Sequence, residues 1–315
     1  MLKKCFSLLL ALMLLTPLCA IAEQEPTPIY PLTADEIEPT PEGMHHYLLL
    51  CSDSWSGSSE DEPRNTDGMM LVTVDTVAQR VMLTSFIRDM LVMRPDGIYG
   101  RLNGIAKRFS LEDLMATLNS HFGLQIEKYV LVDWTGVANI IDALGGVDIT
   151  ITRGEAIRLR DKMAYKSDWT QPVLSGAGTY HFRGYAAVIY MRIRSDTAVD
   201  GERYDYRRTT RARNVVSSLA DSLREVDYNQ ALNIAHTVFS NITATNMTMH
   251  DLINAAGYAF ELRNAEIEQF RVPIDGTGDE FYYKEMATQQ IDIPVNREAL
   301  LEFLYESFTV REFAE

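Results

Sequence analysis

Cysteine is nearly absent from this chain, with three among 315 residues. Cys5 and Cys19 fall inside an apolar N-terminal run, which leaves Cys51 alone beyond it. One thiol can build neither an internal disulfide framework nor a cysteine zinc site. Histidine offers no metal spacing either, because the only close pair is the adjacent His45-His46, expected near the end of a linker. There is no GxxxxGK[ST] phosphate loop and no GxSxG nucleophile elbow, and Gly145-Gly146 lacks the rest of a dinucleotide fingerprint. A nucleophilic Cys51 would need a base beside it, so a buried strand-end thiol is expected instead. Basic residues are scarce in the last third, where residues 214–315 hold 6 basic and 17 acidic side chains within a formal net charge of −15. Such surroundings repel an extended polyanion and argue against nucleic-acid binding.

Long hydrophobic runs are also missing, apart from residues 5–22. That uncharged stretch follows Lys3 and Lys4 and precedes polar Glu23-Gln24-Glu25-Pro26, the pattern of an export segment that is either cleaved after Ala20-Ile21-Ala22 or kept as an anchor. Residues 23–43 carry five prolines and no hydrophobic period, which predicts a linker lifting a domain off the membrane surface. The domain is expected over 44–315, with the acidic C-terminal third completing it. Short apolar runs at 47–50, 69–74, 80–85, 129–132 and 147–151 predict strands. Helices are predicted over 111–122, with Ser110 as cap and Asp113 closing the capping box, over 134–144, and over 296–308. Strands alternating with helices indicate an α/β layered domain.

Against the acidic background stands one basic segment: between Arg183 and Arg213 lie eight arginines and four acids. Arginine's planar fork suits phosphate or carboxylate oxygens. If residues 190–194 are extended, Arg192 and Arg194 share one face. Arg207, Arg208, Arg211 and Arg213 have the spacing of one helix side. Far away in sequence, Asp53 follows the 47–50 strand and Asp67 precedes the 69–74 strand. Carboxylates converging at strand ends beside arginines would suit Mg²⁺, whose shell phosphate and water complete; turn capping by aspartate is the alternative. A compact phosphorylated ligand fits both groups.

The motifs Leu50-Cys51-Ser52-Asp53-Ser54, Thr66-Asp67-Gly68-Met69-Met70, Ser85-Phe86-Ile87-Arg88-Asp89, Arg101-Leu102-Asn103 and Asp142-Ala143-Leu144-Gly145-Gly146-Val147, followed by residues 184–194 and 205–211, occur in the order seen in LytR-CpsA-Psr proteins. The chain resembles that family over about residues 45–225. The resemblance implies a three-layer α-β-α domain with a central mixed β-sheet, placed outside the cytoplasm at the membrane or secreted. It implies transfer of a glycopolymer of teichoic acid or capsule type from a polyprenyl-pyrophosphate carrier to peptidoglycan, assisted by Mg²⁺, with an apolar groove for the polyprenyl tail. Asp53 and Asp67 match the magnesium-associated aspartates. Arg88, Arg192, Arg194 and Arg208 match pyrophosphate-binding arginines, with Asp205 orienting them, and Arg88, Asp205 and Arg208 form the catalytic set. Arg64, Arg101 and Arg211 join the phosphate-binding group. Departures from the family pattern are Cys51 in place of Gly, Arg64 one residue too far from Asp67, Ala212 in place of Gln, and no Gly-rich step after Asn103. A binder or regulator of polyprenyl phosphates that kept the arginines and lost activity is the alternative reading.

Overall fold

Alternation decides the first strand. In β1 (Met44–Ser52) every second side chain, from Met44 through His46, Leu48 and Leu50 to Ser52, is buried, so one face of the ribbon must meet a core. The computed structural model describes residues 25–55, 65–163, 172–193, 204–224 and 226–312. After β1 come β2 (Thr66–Asp75), β3 (Arg80–Phe86), β4 (Leu91–Met93), β5 (Tyr99–Arg101), a short α1 (Ile105–Arg108), α2 (Leu111–Phe122), β6 (Lys128–Val132), α3 (Trp134–Ala143) and β7 (Val147–Ile151). The chain continues with α4 (Arg153–Met163), β8 (Gly178–Phe182), α5 (Gly184–Met191), α6 (Tyr204–Leu223), α7 (Tyr228–Ser240), β9 (Ala244–Thr245), α8 (Met249–Glu261), β10 (Ile267–Val272), β11 (Gly278–Tyr283), β12 (Met286–Ile291) and α9 (Ile293–Glu312).

Local chemistry accounts for the boundaries. Ser110 Oγ accepts from Asp113 N at 2.9 Å and donates to the Asp113 carboxylate, which starts α2. Asp75 Oδ1 accepts from the backbone of Val77 and Ala78, folding the hairpin between β2 and β3. Asp133 caps α3 by accepting from Gly136 N at 2.7 Å.

The central sheet runs β10-β3-β2-β1-β6-β9. It is mixed: β1 lies parallel to β6 and β3 parallel to β10, while β1–β2, β2–β3 and β6–β9 are antiparallel. Both edge strands come from the acidic C-terminal third, which therefore belongs to the same sheet. On one face Leu48, Leu50, Leu71 and Met82 pack against Leu114, Leu118 and Phe122 of α2 and Leu300 and Leu304 of α9. Beside the other face a second cluster joins α3, α4, α5, the β7–β8 hairpin and Val215 of α6. α6 is fixed over that face because Arg213 bonds Ser85 and Gln269, and Gln269 donates to Ser217 at 2.8 Å. The result is the three-layer arrangement, with one qualification: β7 pairs only with β8, in a separate hairpin.

Two expectations are corrected here. The proline-bearing segment is not a free spacer. Ile29 is 7% exposed within the main core, and backbone amides of Thr27, Ile29, Leu32 and Thr40 donate to Gln290, Tyr99, Ser120 and Gln125 in turn. It is a strap bound along the domain. Likewise His46 does not sit at a linker end; it is buried in β1, with Nδ1 2.8 Å from Thr73 Oγ1. The 5–22 run lies outside the described residues, among which no helix is long and apolar enough to cross a membrane.

Candidate functional site

The site begins with an irregularity in β2. Cys51 pairs with Gly68 and Ser52 with Thr66, so Asp67 is an extra residue in the ladder. Such a bulge turns its side chain out of the alternating pattern. Gly68 allows it: a Cβ there would stand 3.0 Å from the Cβ of Cys51. The residue across the ladder thus leaves room for the Cys51 side chain.

Freed in this way, the Asp67 carboxylate, only 2% exposed, meets two guanidinium groups. Arg88 Nη1 donates to both of its oxygens at 2.9 and 3.0 Å, and Arg208 Nη2 donates to Oδ2 at 3.1 Å. Burial alone would raise the Asp67 pKa, but the charges and hydrogen bonds of Arg208 and Arg88 outweigh it and hold the group below the usual carboxylate range. Arg88 sits on a loop whose backbone is tied down on both sides. Carbonyls of Arg88, Asp89 and Met90 accept from the amides of Asn103, Gln289 and Leu102. Arg208, itself buried, belongs to the second basic cluster and lies in α6, as its spacing predicts.

Asp53 is held from the other side. Trp134 Nε1 donates to its Oδ1 at 3.3 Å and Arg192 Nη2 at 3.2 Å, while the Arg192 guanidinium lies 5.2 Å from the Trp134 ring. Trp134 reaches this position because its own amide donates to Ser54 O at 2.9 Å, fixing the start of α3 against the end of β1. Arg192 is not extended, contrary to the reading of residues 190–194. The uniformly apolar stretch before it is buried as α5, and Arg192 caps that helix with φ −93° and ψ 4°. A cation at a helix C-terminus is favourably placed. Both carboxylates lie close to Cys51: burial first, then Asp133, Asp67 and Asp53, push its thiol pKa well up, with Arg192 opposing. It is a half-buried thiol and a poor nucleophile.

The second arginine cluster disperses. Arg211 turns away from the aspartates; its Nε donates to buried Glu155 at 2.7 Å and its Nη1 to Ile193 O at 2.8 Å. It holds the turn that carries Arg192 and does not line the site. Arg207 and Arg213 are buried as well. Arg183 bonds Asp142 at 2.8 Å, beside the start of α5. Ala212 packs against the second apolar cluster. Arg101 stands next to the Arg88 loop, 3.9 Å from Asp89, with Nε donating to Ala287 O at 2.8 Å. Asp205 falls in the first turn of α6, and its side chain is outside the described residues, as are Arg64 and Arg194. Sequence reasoning missed Trp134, Glu155 and Gln289. Only Trp134 had a signal, following a capping aspartate directly after a strand.

Among the described residues no three His, Cys, Asp or Glu side chains gather into a metal site. Of Asp53, only Oδ1 is engaged among them, and a carboxylate offers about four lone-pair sites. A carboxylate oxygen left open in this way is a hard donor of the type Mg²⁺ takes where phosphate supplies the remaining ligands.

Beside this face of the sheet the polar groups give way to apolar ones. Leu49 lies between Met70 and Val130, and Val72 pairs with Leu83. Leu49, Val72 and Val130 are only half-buried, which leaves an apolar strip leading from the aspartates.

The profile of the LytR_cpsA_psr family matches residues 21–298. The chain belongs to the LytR-CpsA-Psr family. Biofilm regulatory protein A of Streptococcus mutans serotype c is 27% identical over 244 residues, covering 73% of this chain and 57% of that protein. The polyisoprenyl-teichoic acid–peptidoglycan teichoic acid transferase TagV of Bacillus subtilis is 23% identical over 169 residues, 53% of this chain and 41% of that protein. Both matches therefore span less than two thirds of the relatives' length. A solved TagT chain bound to LI-WTA superposes with a TM-score of 0.67 at 16% identity, covering 90% of this chain and 98% of that one, which establishes the family fold.

Proposed function

We propose that this family member is an extracytoplasmic transferase that moves an anionic glycopolymer from a polyprenyl-pyrophosphate carrier to peptidoglycan at the membrane surface. The observation that carries the reading is the meeting of Arg88 and Arg208 on buried Asp67 beside the Asp53–Arg192 pair. Three guanidinium groups held by carboxylates form a preorganised cradle for a pyrophosphate. Asp53 and Asp67 would hold Mg²⁺, which supplies charge neutralisation on the phosphoryl oxygens. A sugar hydroxyl of the acceptor forms a P–O bond to the phosphorus nearer the glycan as the bond to polyprenyl phosphate breaks, and the hydroxyl proton is released. The arginines offset the charge that spreads over the transferring group. The half-buried apolar side chains of Leu49, Val72 and Val130 support a place for the tail.

The name of the Streptococcus mutans relative, a regulatory protein, favours a second reading, a polyprenyl-phosphate binder without transfer. Incubation of the full chain with a polyprenyl-pyrophosphate-linked glycan, peptidoglycan fragments and Mg²⁺ separates the two. Linked product is expected, lost in Asp67→Ala and Arg192→Ala; retained lipid with no product would favour the binder.

A further inference from the structure

One strand touches three arginine-bearing segments on the Asp67 side, and it lies outside the motifs that marked the family. Gln289 of β12 donates its amide to Asp89 O at 2.9 Å and forms a parallel bridge with Met90, which fixes the Arg88 loop. Two residues earlier, Ala287 O accepts from Arg101 Nε at 2.8 Å. The third segment is α6. Tyr206, two residues before Arg208, donates its hydroxyl to Gln289 Oε1 at 3.4 Å, and its ring lies 4.4 Å from the Arg271 guanidinium of β10. The neighbouring β11 makes room for that contact: a Cβ on Gly278 would stand 3.0 Å from the Tyr206 hydroxyl oxygen.

Guanidinium groups repel, and a pyrophosphate offers two phosphates at a fixed separation. A rigid element that sets the spacing before the ligand arrives lowers the reorganisation that binding requires. We infer that β12 is the template that sets the Arg88–Arg208 spacing, with Gln289 and Tyr206 as positioning residues. The inference rests on the pyrophosphate reading of the site above.

The test titrates inorganic pyrophosphate and inorganic phosphate, with Mg²⁺, into the full chain and follows tryptophan fluorescence, since Trp134 adjoins Arg192. Tyr206→Phe keeps the ring on Arg271 and removes one hydrogen bond; Gln289→Ala removes the acceptor. Each is expected to weaken pyrophosphate binding about five- to tenfold, the equivalent of one hydrogen bond, while phosphate binding, which needs no fixed spacing, changes little. Equal losses for both anions, or none in either variant, would overturn the template role. A wild-type chain that binds no pyrophosphate would sink the functional reading and this inference together, whereas wild-type binding with unaltered variants sinks the inference alone.

Discussion

Asp67 Oδ2 accepts from Arg88 Nη1 at 3.0 Å and from Arg208 Nη2 at 3.1 Å, so one oxygen joins the loop after β3 to a helix whose arginine lies 141 residues beyond Asp67. Asp67→Asn keeps the shape and deletes the charge, leaving two guanidinium groups facing each other. Breaking a buried ion pair costs about 3–5 kcal/mol. Urea unfolding should show a loss of that order. A midpoint within experimental error of wild type would mean the pairing is not buried in solution.

The bulge can be tested apart from the charges. Gly68→Ala places a Cβ 3.0 Å from that of Cys51, an overpacking expected to cost about 1–3 kcal/mol. Cys51→Gly in the same chain should restore most of that loss, because the two positions share one space. Additive effects in the double-mutant cycle would contradict the geometry.

Arg211 and Glu155 form a pair with side chains 4% and 10% exposed. Removing the cation in Arg211→Ala strands a buried carboxylate and should destabilise by about 3–5 kcal/mol, whereas replacing both members by Met and Leu should recover much of the loss. If Arg211 instead grips ligand, Arg211→Ala would leave unfolding unchanged and abolish pyrophosphate binding.

Acid should weaken the fold before the carboxylates titrate. Burial, followed by His45, lowers the His46 pKa to about 4, and burial, opposed by the Thr117 carbonyl, lowers that of His121 to about 4. Both groups are neutral when folded and have a pKa of about 6.5 when unfolded. Their contribution is whole above pH 6.5 and is lost as the pH falls toward 4. The loss is on the order of 2–3 kcal/mol per histidine. Denaturant midpoints at pH 7 and pH 4.5 measure it, and a flat profile would show that one or both rings reach water. His46→Gln should flatten part of the slope.

Sequence pattern alone made much of the architecture legible. Strands, the Ser110 cap and the helical placement of Arg208 follow from period and capping chemistry. The placement of Asp53 and Asp67 at strand ends was readable because both flank apolar strands. What could not be read are long-range pairings. Glu155 gives no sign of claiming Arg211, and Gln289 is an ordinary polar residue in a short strand. Spacings of three and four place Arg207, Arg208, Arg211 and Arg213 on one helix, yet the surroundings, not the spacing, decide which of them meets the site. The extended reading of residues 190–194 failed because seven of the eight residues from Gly184 are buried in α5, and burial on all sides favours a helix over a strand of alternating faces.

The placement of β9 and β10 at opposite rims of the sheet bears on how the molecule is made. Val81 waits for Ile267, and Leu131 for Ala244. Until the last quarter of the polypeptide has been synthesised, β3 and β6 present unpaired rims, the feature that invites pairing with other chains. Contacts so distant in sequence slow folding. A nascent chain of this kind keeps its sheet open until residue 272 has emerged, and only then can both rims close.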